Sequence, residues 1–95
     1  MAIGVLTSGN LGKDTLIKMV SKFDIGFVLT DSNSLEIIEV CNNHKIPVFK
    51  GNPRNGKAYE FIKNIEVDII ASINYLFLIN KDIIQHSKKL TFYIH

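Results

Sequence analysis

Short apolar runs alternate along this chain with stretches whose apolar residues recur every three or four positions. Ala2 to Leu6 is a near-continuous apolar run that ends in the turn formers Ser8, Gly9 and Asn10, which predicts a strand buried on both faces. Leu16, Met19, Val20 and Phe23 then share one face of a helix, with Asp14 standing where an N-cap would. Ile25 to Thr30 reads as a second buried strand, closed by Asp31, Ser32 and Asn33. Leu35, Ile38 and Cys41 mark a second helix with Ser34 as its cap, and Ile46 to Phe49 a short third strand.

The stretch from Gly51 to Gly56 is built from residues that favour turns and predicts a loop. Ala58, Phe61, Ile62 and Ile65 repeat the helical spacing, Val67 to Ser72 is a fourth strand, and Lys81 to His86 allows a short helix. Leu90 to His95 is a β-rich fifth strand. Strands that alternate with helices, none of them with a period of two, predict an α/β fold: a parallel sheet with helices on both faces. Such sheets bind ligands beyond the carboxyl ends of their strands. That rule points to Thr7 to Lys13, to Thr30 to Asn33, to Ser72 to Ile79, and to whatever follows the fifth strand.

Composition narrows the picture. With 95 residues the chain is one small domain at most, and 46% hydrophobic residues with balanced charge exclude a disordered chain. A net charge of +2 leaves no basic footprint for nucleic acid or membrane. Cys41 is the only cysteine, so there is neither an intrachain disulfide nor a cysteine zinc motif, and the three histidines lack a helical metal spacing. No metal is expected. The N-terminus lacks the basic region of a signal peptide, and the apolar run near Ile73 to Ile79 is far shorter than the ~20 residues of a membrane span. A soluble cytoplasmic protein is expected.

The first loop, Ser8 to Asp14, lacks the third glycine of a dinucleotide fingerprint, and Asp14 follows Gly12-Lys13 where a P-loop needs Ser or Thr. It reads as a strand-to-helix turn whose small residues would let backbone N–H groups approach an anion. Asp31 stands near the place of a ribose-binding acid; without the glycines it reads as a turn residue with a local backbone hydrogen bond. Asn74 to Ile79 stays apolar and aromatic beyond the end of its strand. A loop packed under a neighbouring element and a flat pocket for an aromatic ligand explain it equally well. His95 is the only histidine at a predicted carboxyl edge, and His44 and His86 lie near helix ends, where positive charge is favoured.

Taken in order, the opening strand with Ser8-Gly9-Asn10, the strand Val67 to Ser72, the loop Asn74 to Ile79 and the closing strand with Ile94-His95 resemble the N-terminal, Rossmann-like domain of the formyltransferases that use 10-formyltetrahydrofolate. The loop looks most like that of enzymes that formylate nucleotide-linked amino sugars such as dTDP-4-amino-4,6-dideoxyglucose. The methionyl-tRNA and glycinamide ribonucleotide formyltransferases are the nearest rivals, and a non-catalytic binding module of the same fold is the rival of another class. By this resemblance Tyr75, Leu76, Phe77, Leu78 and Ile79 hold the folate, Ser8, Gly9 and Asn10 lie on the amine substrate's side, and His95 is the general base. Tyr93 occupies the place of the family's asparagine. The family's downstream aspartate has no counterpart in these residues, so the resemblance implies that residues 1–95 form a single, partial domain covering the first half of the catalytic unit. A fifth strand at the sheet edge is also open to pairing, which predicts a chain that dimerises or aggregates.

Overall fold

A computed structural model describes residues 1–94 of the chain. Five strands form one parallel sheet: β1 (Ala2–Thr7), β2 (Asp24–Thr30), β3 (Val48–Lys50), β4 (Ile69–Ile73) and β5 (Leu90–Ile94). Their order across the sheet is β3-β2-β1-β4-β5. Four helices connect them: α1 (Gly9–Val20), α2 (Leu35–Asn43), α3 (Lys57–Ile62) and α4 (Lys81–Ile84). The Rossmann-like α/β arrangement expected from the pattern of apolar runs is the one found.

Alternate residues of β1, β2 and β4 feed two cores, which is why these strands read as continuous apolar runs. Ile3, Val5 and Val28 face α1 and α2, meeting Leu16, Ile37 and Cys41. Leu6, Phe27, Leu29 and Ile70 face the other way and meet Ala58 and Ile62 of α3 and Ile83 of α4. Complete burial of a side chain such as Leu16 or Phe27 stabilises the fold by roughly 1.5–3 kcal/mol. Gly4 makes room for Phe27, whose ring lies where a Cβ at Gly4 would stand.

Chain direction across the sheet reverses between β1 and β4. From β1 the chain steps outward through β2 to β3, then returns by α3 to the far side of β1. The carboxyl ends of β1 and β4 are therefore flanked by connections that diverge, the place where open α/β sheets form a crevice.

Several local expectations are corrected. Helix α1 begins at Gly9 with Ser8 at the N-cap position, so Asp14 lies inside the helix and the stretch from Gly9 to Asp14 is not a loop. Gly12 permits this, because a Cβ there would run into the buried Thr7 side chain, and its absence lets the first turn lie against β1. In α2 the buried residues are Ile37 and Cys41, while Leu35 is 69% exposed on the first turn, out of reach of the core. Strand β3 starts at Val48 rather than Ile46, and β4 at Ile69 rather than Val67, although Ile46 and Val67 remain buried. His44 is the C-cap of α2, and His86 follows α4 with its Nε2 2.7 Å from the Ile65 carbonyl.

Candidate functional site

Three strand ends converge at the crevice, and short polar side chains knit them together. Asp31, just past β2, accepts hydrogen bonds from the Ser34 hydroxyl (2.6 Å) and the Asn33 backbone N–H (3.0 Å). The Asn33 bond is the local turn contact expected of Asp31. Ser34 holds the N-cap position of α2, and its carbonyl accepts the Ile38 N–H at 3.2 Å, but its side chain makes no bond to its own helix. Its hydroxyl instead accepts the Gly9 N–H at 3.0 Å, satisfying one of the free donors at the start of α1 from the neighbouring element.

Ser8 performs the matching task on the other side. Its hydroxyl accepts the Leu76 backbone N–H (3.2 Å), and its carbonyl accepts a bond from the Asn74 side-chain amide (3.1 Å). Asn74 leaves β4 with φ 57°, a left-handed conformation that asparagine tolerates better than most residues. That turn directs the following loop back over β1.

Asp31 is only 7% exposed, and no cation pairs with it among the described residues. Burial alone would raise its pKa. The Ser34 hydroxyl first, then the Ser8 hydroxyl and the Asn33 N–H, together outweigh that effect and hold the carboxyl below its usual range. The Ser8 hydroxyl acts from a position outside a formed hydrogen bond. Asp31 is thus a charged group at neutral pH, held by neutral donors.

Two clefts open on this framework, with the ridge Asn74 to Leu76 between them. The first, about 500 Å³, is lined by Ser8, Gly9, Asp31, Asn33, Ser34 and the ridge. The second, about 350 Å³, lies on the β5 side and is lined by Ser72, the loop from Asn74 to Ile79, Tyr93 and Ile94. Leu76 and Leu78 stand 66% and 93% exposed on this loop. Tyr75 and Phe77 meet edge to face with ring centroids 5.6 Å apart.

Tyr75 turns inward. Its ring packs on the core beneath the sheet, and its hydroxyl is buried with no hydrogen-bond partner. Burial, and then the charge of Asp31, push the phenol pKa well above its usual value. The Thr30 hydroxyl is a second buried group without a partner, but it does not line either cleft.

The residues singled out in the sequence fall into groups. Tyr75, Leu76, Phe77, Leu78, Ile79 and Tyr93 line one cleft together. Ser8 and Gly9 line the other, while Asn10 belongs to a smaller hollow of about 250 Å³ between the starts of α1 and α2. His95 lies outside the described residues. Sequence reasoning passed over Asp31, Ser34 and Asn74 as members of one site. The available signal was their position at predicted strand ends, not their residue type. Among the described residues no three His, Cys, Asp or Glu side chains gather in a way that would hold a metal ion, and no helix is long and apolar enough to cross a membrane.

No protein-family model matches the chain, and no curated protein matches it in sequence.

Proposed function

We propose that this chain supplies the folate and amine sides of a formyl-transfer site, moving a formyl group from 10-formyltetrahydrofolate to the amine of a nucleotide-linked amino sugar. The observation that carries the reading is the pair of clefts meeting at the Asn74 to Leu76 ridge. One draws most of its side chains from aromatic and aliphatic residues, suited to a flat heterocycle, beside Ser72 and Asn74. The other adds the hydroxyl, amide and carboxylate groups of Ser8, Ser34, Asn33 and Asp31 to the shared ridge. Such a division is what a reaction between a pterin-borne formyl group and a polar amine requires. It also agrees with the resemblance carried by the sequence.

In this reading the amine lone pair attacks the formyl carbon, forming a C–N bond and a tetrahedral intermediate with an oxyanion and a cationic nitrogen. His95 removes the nitrogen-bound proton, the bond from the carbon to the folate nitrogen breaks, and tetrahydrofolate leaves protonated. An oxyanion donor in such a site is worth roughly 10²–10³ in rate. Tyr93, half-exposed on β5 and facing the apolar cleft, offers a phenol where the family carries an asparagine amide. Its hydroxyl projects further than an amide would.

That replacement favours a second reading, a folate- or nucleotide-binding module without turnover. The test is formyl transfer from 10-formyltetrahydrofolate to a dTDP-linked 4-amino sugar, using the full product of the gene. Transfer that is abolished in His95→Ala supports the enzyme. Ligand binding without transfer supports the module.

A further inference from the structure

The buried serine and threonine side chains among the described residues are those of Thr7, Ser8, Thr30 and Ser72. Thr7 donates to the Ile73 carbonyl, Ser8 accepts the Leu76 N–H, and the Thr30 hydroxyl is sealed from solvent. Ser72 is different. It is only 6% exposed, and its hydroxyl makes no hydrogen bond with any described residue. Yet it is not closed off as the Thr30 and Tyr75 hydroxyls are, and Ser72 lines the cleft of about 350 Å³ on the β5 side.

The sheet explains its place. Ser72 stands beside Leu6 of β1 and Tyr93 of β5 in the parallel ladders, two residues beyond Ile70. Side chains alternate along a strand, so that of Ser72 points to the side of Leu6 and Ile70, toward α3 and α4. Tyr75 and Ile79 of the following loop pack on that same core and close over it. Ser72 thus lies at the floor of the cleft, with Tyr93, 51% exposed, at its rim.

The other groups of the cleft decide what can meet this hydroxyl. None of them carries a charge, and from Leu76 to Ile79 their side chains are aromatic or aliphatic. The Asn74 amide is engaged by the Ser8 carbonyl, and the Tyr75 hydroxyl is out of reach. A carboxylate, phosphate or ammonium would leave water here with no opposite charge to receive it. A hydrocarbon ring would bury the Ser72 hydroxyl without a partner. A flat ring with a neutral hydrogen-bonding edge avoids both penalties. A serine hydroxyl donates and accepts, so it suits a ring N–H, a ring nitrogen or a ring carbonyl.

We propose that the Ser72 hydroxyl is the polar contact at the floor of this cleft, pairing with the heteroatom edge of a bicyclic ring and setting a preference for such a ring over a hydrocarbon of the same shape. The proposal rests on the reading of this cleft as the heterocycle side of the site, and it requires no formyl transfer. Two kinds of bicycle carry a neutral edge of this sort: the pterin of a folate and a purine base.

Equilibrium dialysis of the full gene product with pterin, guanosine and naphthalene tells them apart. Ser72→Ala removes an oxygen that bonds to nothing among the described residues, so the variant should melt at or near the parent temperature. The readout is the ratio of heterocycle affinity to naphthalene affinity, which a general loosening of the cleft would not change.

The expected result is pterin binding by the parent, with a ratio that falls about tenfold in Ser72→Ala. A ratio within about twofold of the parent's in Ser72→Ala would overturn the proposal, as would a loss that follows Tyr93→Phe instead. If guanosine and not pterin shows the Ser72-dependent fall, the contact stands and the folate reading is lost. Formyl transfer by a protein whose ratio ignores Ser72 does the reverse. Binding of none of the three bicycles overturns both.

Discussion

The Ser8 hydroxyl accepts the backbone N–H of Leu76 at 3.2 Å, so a residue at the end of β1 carries the loop that follows β4. Sixty-eight residues of sequence separate the two, and the contact sits where the sheet reverses its direction of winding. Asp31 and Ser34 extend the same network to the starts of α1 and α2. The two clefts are shaped by this framework of short side chains more than by the apolar core below it.

Asp31 should therefore contribute to stability in a pH-dependent way. Its carboxyl is held below the ordinary value of 3.8, because hydrogen bonds to the charged form outweigh burial. A lowered folded-state pKa gives stability that is fully present above the unfolded value and is lost as pH falls through the folded one. Asp31→Asn is predicted to cost about 1.5–3 kcal/mol at pH 7, or roughly 4–8 °C of Tm per kcal/mol. Thermal melts of both proteins should show the gap undiminished at pH 5 and closing only below about pH 4. A gap that is constant down to pH 2 would mean that the charge of Asp31 is irrelevant.

Gly12→Ala should destabilise the protein, against the usual benefit of about 1 kcal/mol for that change within a helix. The added Cβ would overlap the Thr7 side chain, which is 1% exposed and donates to the Ile73 carbonyl at 2.7 Å. Either Thr7 breaks that bond or α1 shifts away from β1, an overpacking cost of about 1–3 kcal/mol. Denaturant unfolding measures it. A midpoint equal to or above the parent's would show that α1 adjusts freely.

Strand β5 has hydrogen-bonded neighbours on one side only, and Leu90, Tyr93 and Ile94 stand about half exposed on it. An uncharged edge of this kind templates pairing with another chain. A polypeptide of these 95 residues is predicted to sediment as dimers or larger species at micromolar concentration. Ile94→Lys should shift it toward monomer, since a charged side chain on the edge opposes a second strand. A parent that stays monomeric over a hundredfold range of concentration would contradict this.

The apolar runs made the sheet legible from the sequence because the central strands β1, β2 and β4 are covered on both faces, leaving no polar alternation to confuse the reading. Ser34 was recognisable as the residue before α2, yet its hydroxyl serves Gly9 and Asp31 instead of its own helix. Helix α1 started earlier than expected because glycines at 9 and 12 argue for a turn by propensity, whereas here close packing on Thr7 demands one of them. The loop Asn74 to Ile79 drew notice for its apolar character, and it does line a cleft. Its link to Ser8 was invisible, since nothing in a one-dimensional pattern pairs residues across 68 positions.

The cleft formed by the Asn74 to Ile79 loop and Tyr93 is the one proposed to take a folate. Titration of the full gene product with 5-formyltetrahydrofolate, a stable analogue of the formyl donor, addresses it directly. Saturable binding that weakens at least tenfold in Phe77→Asp, with the fold intact by circular dichroism, is the predicted result. A folded protein that binds no folate, or binds it equally well with Asp at position 77, would contradict the account.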